Sequence, residues 1–480
     1  MNDRKGFGSN FGFLMAAVGS AVGLGNIWGF PNKMGANGGF PFLILYLALA
    51  LCCGVIIMLG ELALGRKTGH GAVGAYQSIS KRFKWLGWLG IAAAALIFSF
   101  YSALGGYCLR YVVVNFGNLI GAEFGTNGVG GADVFQGLLS QPDVSIAFAL
   151  AFMLITMLVV MSGVGGGIER VCSVGMPALF FILIICIIRS CTLPGAADGL
   201  KYMFVPGWAV ANGIIDEAPG FWRVLTAAGG QMFFSLSLGA GVMITYGSYL
   251  DKKQDLGKSA MIIVGMDTVV ALMAGLCVIP GRFALDPNGA LGGPELLFIT
   301  MQNVFDKMGP AGPVFGILFY LLVFFAAISS SISMLEVIVA HFCDKAREKG
   351  KGDRRKLYSA IVVVICAALC ALVCADGMGS NHISPAELLG LAGAKLPGWS
   401  TSWLGLFDSV AEGLLMPLGA LLMCLMISWE LKPDALRQEI LLNGETRPWG
   451  YDFFRLCVKY ITPLCMLMIL YGQISDFFIV

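Results

Sequence analysis

Residues 17–26 read Ala17-Val-Gly-Ser-Ala-Val-Gly-Leu-Gly-Asn26, and they lie inside the first long apolar segment of the chain. Gly19, Gly23 and Gly25 fall close together, and each glycine is about 1 kcal/mol less favourable than alanine inside a helix. We therefore expect this helix to be broken near its middle. The spacing of Gly19 and Gly23 also fits close packing of two helices through small residues, and this stretch alone leaves both interpretations open.

A second stretch has the same character. Residues 231–241, Gln231-Met-Phe-Phe-Ser-Leu-Ser-Leu-Gly-Ala-Gly241, place hydroxyls and two glycines in the middle of the sixth apolar segment. Lipid cannot satisfy the backbone groups of an unwound stretch, so such a stretch is tolerated only where it lines a cavity or binds a ligand. Its carbonyl oxygens and the Asn26 amide suit a hard cation such as sodium, and the amino end of a half-helix suits a carboxylate. Interrupted helices at matching positions of two halves are typical of secondary transporters.

The composition places the whole chain in a bilayer. Of 480 residues, 57% are hydrophobic and 12% are charged, and the mean hydropathy is +0.80. Soluble domains carry about 25% charged residues. The net charge of +2 and the lack of a basic, aromatic-rich stretch exclude nucleic acid as a partner.

Eleven segments are apolar enough, over about 20 residues, to cross a membrane. They are residues 11–37, 41–65, 86–120, 145–163, 171–193, 222–249, 259–280, 311–342, 357–374, 404–429 and 453–479. The segment 282–310 is also apolar, but its prolines and glycines favour an outer loop with short helices. We expect one all-α transporter domain over residues 1–480, with two five-helix inverted repeats at about 11–193 and 222–429 and an additional helix at about 453–479.

The basic residues predict the orientation. With a cytoplasmic N-terminus, the inner loops hold 23 of the 31 Lys and Arg residues and the outer loops hold seven, while Arg110 lies within a span. Because basic residues accumulate on the cytoplasmic side, this count predicts a multi-pass protein of the inner (plasma) membrane with its N-terminus inside.

Several motifs resemble the neurotransmitter:sodium symporter family, whose bacterial members are amino-acid transporters with the LeuT-like fold. The motifs follow one another along spans one to eight: residues 19–28, Phe30-Pro31, residues 37–39, Glu61 with Gly65-Arg66, residues 234–241, residues 246–249 and residues 325–331. The resemblance implies a sodium-coupled symporter that imports an amino acid by alternating access, sufficient as a monomer. A substrate-sensing membrane receptor on the same scaffold is the alternative.

An enzyme is not expected. The stretch from Gly60 to Thr68 breaks the spacing of a phosphate-binding loop, and it lies at the end of an apolar helix instead of after a strand.

The resemblance implies two sodium sites. The first would use the Ala21 carbonyl, the side chains of Asn26, Ser235 and Asp267, and the carboxylate of the substrate. The second would use the carbonyls of Gly19, Val22 and Ala326 and the hydroxyls of Ser329 and Ser330.

Asp267 is informative by itself, because a carboxylate well inside an apolar span is costly and is usually functional. Its alternative is a carboxylate that reaches the inner end of its helix. Chloride-dependent family members gather an anion near the positions of Tyr46, Gln231 and Ser235 and a further serine, which is Ala271 here. We therefore predict that Asp267 supplies the fixed negative charge and that chloride is not required.

The resemblance also implies the substrate site. The amino-acid backbone would contact Ala21, the Leu24 and Gly25 amides, the Tyr101 hydroxyl and Ser235. The side-chain pocket would be formed by Ile97, Phe234, Ser237, Ala240, Ser331 and Met334. A neutral hydrophobic, an aromatic and a cationic substrate all remain compatible with these residues.

The gates follow from the same resemblance. On the inner side, Arg4 and Asp344 match an ion pair, and Phe7 matches a plug. On the outer side, the family usually sets an arginine where this chain has Gly29, opposite an acid that is Asp408 here, with Glu412 one turn on. We therefore expect Asp408 and Glu412 to be two unpaired acids, either hydrated or favouring a substrate with a long polar or cationic side chain.

Overall fold

A computed structural model describes residues 6–126, 128–289, 293–352, 354–390, 397–432, 434–441 and 448–478. Across these residues the regular structure is helical, without strands. Within the described ranges, nine helices are long and apolar enough to cross a membrane, and a bent pair at the start of the chain makes a tenth. The eleventh is the broken sixth helix, whose two pieces are separately too short for that criterion.

We number these helices as spans 1 to 11. Their bounds are Asn10–Ala21 with Gly25–Ala36, Phe40–Thr68, Lys81–Ile120, Pro142–Met161, Val164–Cys191, Phe221–Leu236 with Val242–Gly247, Leu256–Leu285, Gly309–Glu348, Arg355–Gly379, Trp403–Leu431 and Gly450–Ser475. Each lies close to its predicted segment, because about 20 apolar residues are a strong sequence signal. The expected architecture of eleven spans is confirmed.

Short helices fill the connections between the spans. They are Ala72–Ile79, Gly131–Leu139, Ala196–Phe204, Trp208–Ala211, Leu296–Thr300 running into Met301–Asp306, Pro385–Leu388 and Asp434–Ile440. The prediction for residues 282–310 is therefore confirmed, since the described part of this loop carries two short helical pieces in place of a twelfth span.

Span 1 is broken where the glycines predict it. The first piece ends at Ala21, Val22 is extended with φ −74° and ψ 99°, and the second piece leaves at a bend of 44°. A helix end leaves its last carbonyl groups without intrahelical partners. The break therefore releases the carbonyls of residues 19 to 22 in the middle of the span.

Span 6 is broken by left-handed residues. Its first piece ends at Leu236, and Ser237, Gly239 and Gly241 have φ values of 52°, 80° and 75°. A positive φ is strained for a residue with a Cβ, so Ser237 needs support from its surroundings. Its hydroxyl donates a hydrogen bond to the Ser20 carbonyl at 3.1 Å, which ties the two breaks together.

The breaks lie in the interior because long spans surround them. Span 8 packs along span 3, and both are among the longest helices of the molecule. Spans 4 and 5 lie at the periphery, where only 33% and 28% of their most apolar windows are buried. The centre of the fold is thus shielded from lipid.

Candidate ion and substrate site

Asp267 is the centre of the first cluster. It lies in span 7 with no exposed surface, and its carboxylate accepts hydrogen bonds from Asn26 Nδ2 at 2.7 Å, from Ser235 Oγ at 3.0 Å to each oxygen, and from the Tyr46 hydroxyl at 3.1 Å. Asn26 follows the break of span 1 and Ser235 precedes that of span 6. The carboxylate therefore faces the two breaks and does not reach the inner end of its helix.

This carboxylate has no cationic side chain as a partner. Within the described part of the chain, no Lys, Arg or His lies within 4.0 Å of Asp267, and its hydrogen-bond donors are a neutral amide and two neutral hydroxyls. A buried charge is costly unless it is paired or coordinates a metal ion. The oxygen atoms of Asp267, Ser235 and Asn26 form a hard donor set of the kind that suits sodium.

The second cluster joins span 1 to span 8. Ser329 Oγ lies 3.4 Å from the Val22 carbonyl and 3.0 Å from the Ala326 carbonyl. Ser330 Oγ lies 3.3 Å from the Gly19 carbonyl and 3.0 Å from that of Ser20. All five residues assigned to the second ion are thus brought together, with oxygen atoms only.

The substrate face lies next to both clusters. The Leu24 amide donates to the Tyr101 hydroxyl at 2.6 Å, and the rings of Tyr101 and Phe234 are 6.3 Å apart. A Cβ on Gly23 would lie 2.2 Å from Ser330 Oγ and 2.4 Å from the Tyr101 hydroxyl. Gly23 therefore serves close approach to two functional side chains, and this decides against simple helix packing at this position.

Most remaining pocket candidates are buried apolar residues. Ile97, Ala240 and Met334 have at most 2% of their surface exposed, and a Cβ on Gly25 would lie 3.0 Å from the Phe234 ring. Ser331 differs, since its hydrogen bonds go to Thr156 of span 4 at 2.8 Å and to the Ile328 carbonyl at 3.0 Å. No hydrogen bond described here joins Ser331 to span 1 or span 6.

The chloride positions carry other bonds in this chain. Tyr46 and Ser235 donate to Asp267, as described above, and Gln231 Nε2 donates to the Gly25 carbonyl at 2.6 Å. The hydroxyls of Tyr46 and Ser235 therefore face a carboxylate that belongs to the chain itself.

Near the amino-terminal end of span 1, the ring of Phe7 lies 5.4 Å from Phe13, 5.6 Å from Tyr246 and 6.2 Å from Tyr249, all edge to face. Asp344 accepts a hydrogen bond from the Gly71 amide at 3.1 Å. Arg4, the predicted partner of Asp344, lies outside the described residues.

At the contact between spans 1 and 10, the structure corrects one prediction. Glu412 is not unpaired, because Lys33 of span 1 forms an ion pair and a hydrogen bond with it. Lys33 lies one turn after Gly29, and Glu412 lies one turn after Asp408. Both partners are displaced by one helical turn from the expected positions, Gly29 and Asp408. An ion pair still joins spans 1 and 10. The matching spacing of four residues is visible in the sequence and would have predicted this pair.

A polar cavity of about 300 Å³ adjoins the pair, and Asp408, Arg223 and Gln473 line it together with Lys33 and Glu412. The two acids therefore share their surroundings with two cations. The arrangement does not favour a cationic substrate.

Glu61 of span 2 is a site residue that sequence reasoning left without a role. Its side chain is 1% exposed, and Oε1 accepts a hydrogen bond at 2.7 Å from the amide of Gly239 in the break of span 6. The Glu61 carboxylate thus provides a hydrogen-bond acceptor for a backbone N–H in the break of span 6. An acid within an apolar span was the available signal.

Comparison with known proteins agrees with this geometry. The profile described as the Sodium:neurotransmitter symporter family matches residues 4–127 and 132–478. A relative in Bacillus subtilis, the uncharacterized sodium-dependent transporter YhdH, is 36% identical over 97% of this chain and 97% of its own length. The sodium-dependent nutrient amino acid transporter 1 of Drosophila ananassae is 26% identical over 72% of this chain and 63% of its own length.

A solved structure is also similar. The crystal structure of MhsT in complex with L-phenylalanine aligns with a TM-score of 0.83, covers 98% of this chain and 100% of its own, and is 34% identical in sequence. Its fold confirms the expected LeuT-like architecture.

Proposed function

Because this chain belongs to the sodium:neurotransmitter symporter family, a family of transporters and not of enzymes, we propose that it imports a neutral amino acid with an apolar or aromatic side chain, together with two sodium ions. Sodium-coupled transport of a small molecule across a membrane follows from the family. The substrate class, the two ion sites, independence of chloride and a plasma-membrane location with the N-terminus inside are the proposal.

One observation supports the ion coupling above all others. The Asp267 carboxylate is fully buried at the two helix breaks and has only neutral hydrogen-bond donors in the described structure. A sodium ion at this cluster would neutralise it, and a substrate carboxylate would complete the shell of that ion. Because coupling is reciprocal, sodium would then raise the affinity for the substrate by the same factor as the substrate raises that for sodium.

The substrate class is supported by the pocket residues. Ile97, Phe234, Ala240 and Met334 are apolar, and all four are buried. In the outer cavity, Lys33 pairs with Glu412. The similar MhsT structure contains L-phenylalanine, which agrees with an apolar or aromatic side chain.

Within this proposal, each group of the chain has a defined task. The Leu24 amide and the Tyr101 hydroxyl, now bonded to each other at 2.6 Å, would bind and orient the substrate carboxylate. Phe234 would cover the substrate side chain and exclude water. The Lys33–Glu412 pair would close the outer path, while Phe7 and Asp344, with Arg4, would close the inner one.

Two sodium ions provide enough free energy for accumulation. Each ion gains about 2.3 kcal/mol per 100 mV, and a tenfold gradient adds about 1.4 kcal/mol. Two ions thus supply roughly 7 kcal/mol, which corresponds to about five orders of magnitude in substrate concentration.

A thermal-shift screen of the purified protein tests the substrate and the ion together. We expect neutral apolar or aromatic amino acids to stabilise the protein in sodium chloride and sodium gluconate and not in potassium chloride. Equal stabilisation in potassium would overturn the sodium sites, and failure in gluconate would overturn the independence of chloride. A best ligand with a cationic side chain would overturn the substrate class.

Uptake into proteoliposomes separates a carrier from a substrate-sensing receptor on the same scaffold. We expect accumulation driven by an inward sodium gradient, with a Hill coefficient for sodium of about 2 if two ions bind cooperatively. Saturable binding without accumulation would identify the receptor.

A further inference from the structure

Arg110 is a charged residue within span 3 that the transport mechanism does not use. Among the described residues, Arg110 has no hydrogen-bond or ion-pair partner. Its guanidinium carbon lies over the face of the Phe148 ring of span 4, 5.9 Å from the ring centre. An ionisable residue inside a membrane span is costly and indicates a functional partner. No protein group described here supplies that partner.

Arg110 lines a cavity near the end of span 3. A cavity of about 260 Å³ lies between span 3, the start of span 4 and the connecting helix Gly131–Leu139, and Arg110, Tyr111, Thr126 and Asp133 line it. Tyr111 has no exposed surface, and its hydroxyl has no hydrogen-bond partner in the described structure. The Tyr111 hydroxyl is thus enclosed by protein, and the half-buried guanidinium of Arg110 is the cationic group that the cavity offers to a ligand.

The cavity also carries an acid. Asp133 lies in the first turn of the connecting helix, is exposed, and forms no ion pair with another described residue. Arg110 is half-buried, so the cation lies deeper in the cavity than the acid. The site therefore offers a positive interior and a negative mouth.

The surroundings place the cavity at the lipid interface. Span 4, which forms one wall, has only 33% of its apolar window buried. Phe116 in span 3, Phe124 in the following loop and Leu150 in span 4 are 49%, 42% and 43% exposed. Phe148 lies six residues into span 4, which is about 9 Å from the end of that helix. This depth corresponds to the boundary between lipid headgroups and acyl chains.

We propose that this cavity binds the phosphoethanolamine headgroup of a glycerophospholipid. The guanidinium of Arg110 donates hydrogen bonds to the phosphate, because the planar fork of arginine matches two phosphate oxygens. The Asp133 carboxylate accepts from the ammonium group at the mouth. The exposed apolar side chains beside the cavity contact the acyl chains. A headgroup with both charges satisfies both side chains, whereas an anionic headgroup leaves Asp133 repelled.

Native mass spectrometry of the detergent-purified full chain tests this site with defined lipids. We expect wild type to retain one phosphatidylethanolamine about tenfold more tightly than phosphatidylglycerol, and Arg110→Gln to lose about tenfold in phosphatidylethanolamine affinity. Asp133→Asn is expected to keep the lipid but to lose the preference between the two headgroups. Arg110→Lys, which keeps the charge without the fork, is expected to lie between wild type and Arg110→Gln.

Arg189→Gln is the matched control. Arg189 is also half-buried within a span and also lies 5.9 Å from a ring centre, that of Phe315, but it does not line this cavity. We expect wild-type retention from this variant. Equal loss in both arginine variants, or no loss in Arg110→Gln and Arg110→Lys, would overturn the site. Competition by inorganic phosphate or free phosphoethanolamine at millimolar concentration would assign the same chemistry to a soluble ligand and overturn the lipid. A preference for phosphatidylglycerol would overturn the role of Asp133.

Discussion

Asp267 and Glu412 are both buried carboxylates within spans, but their partners differ. Asp267 is bonded to a neutral amide and two neutral hydroxyls, whereas Glu412 is paired with Lys33. The side chain of Lys33 is 24% exposed and that of Glu412 is 9% exposed, so the outer pair borders water. Asp267 has no exposed surface.

The difference shows how one chemical group can serve two purposes. A buried carboxylate without a cationic partner among the described residues is neutralised by a proton or by a bound cation, and the oxygen donors around Asp267 favour the bound cation. A carboxylate with a lysine on a facing helix is already neutralised, and it joins the two helices reversibly. The first arrangement suits ion coupling and the second suits a gate.

Replacing Asp267 by Asn is expected to have the largest effect. The amide preserves the shape and removes the charge, so we expect sodium affinity to fall by about 100-fold or more, measured as sodium-dependent thermal stabilisation. Glu412→Gln removes the same charge where a lysine is present, and it should change sodium affinity by less than about threefold. Similar losses in both variants would contradict the comparison.

A double substitution tests the role of the Asp267 charge more directly. With Asp267→Ser and Ala271→Ser together, the fixed charge is lost and a full set of anion-facing hydroxyls is restored. We expect the double variant to regain sodium-dependent substrate binding in chloride and not in gluconate. Recovery in both salts would show that the charge of Asp267 is dispensable.

Gly23→Ala should have the next largest effect, by crowding the central site without changing its charge. The added methyl would lie 2.2 Å from Ser330 Oγ and 2.4 Å from the Tyr101 hydroxyl. We expect about a tenfold loss of substrate affinity, measured by equilibrium binding of the best amino acid. Gly265→Ala in span 7, where no atom lies within 4 Å of the added group, is the control and should bind normally.

Lys33→Met should mainly change the rate of substrate release. Without its cation the outer pair no longer joins spans 1 and 10, so we expect substrate release to become about threefold to tenfold faster while sodium affinity stays unchanged. The charge-exchanged variant Lys33→Glu with Glu412→Lys should restore slow release. If the exchange fails while both single variants fold, the pair does not act as a gate.

The smallest effect is expected at an exposed pair. Lys201 and Asp198 are 3.1 Å apart with side chains 51% and 53% exposed, so the charges are screened by water. Lys201→Met should shift the melting temperature by about 1 °C or less and leave transport unchanged. A loss of transport similar to that of Lys33→Met would mean that any outer ion pair matters, not the one between spans 1 and 10.

Sequence reasoning grouped the residues around Asp267 better than it paired the charges near Glu412. Two donors to Asp267, Asn26 and Ser235, come from motifs that the resemblance assigned to one ion site. For the outer pair, the absence of an arginine at Gly29 led to the prediction that Asp408 and Glu412 are unpaired, and Glu412 proved to be paired with Lys33. Finding the pair requires a shift of one helical turn at both positions, to Lys33 in span 1 and to Glu412 in span 10. A position-by-position comparison with the family does not test such a shift.

Other contacts had no local signal. Thr156 bonds Ser331 from span 4, and a threonine on an apolar helix is usually satisfied by its own backbone. The Glu61 carboxylate was noticed as a motif residue, but its task of holding the Gly239 amide depends on how span 2 packs against the break of span 6.

Hydropathy and glycine predict where the chain crosses the membrane and where two of its helices break, because both act over a few residues and need no distant partner. Which charges are compensated depends on how the spans pack. Asn26 and Asp267 are 241 residues apart in the chain, and Lys33 and Glu412 are 379 residues apart. Coulomb interactions depend on distance in space, and that distance is set only when the spans pack together.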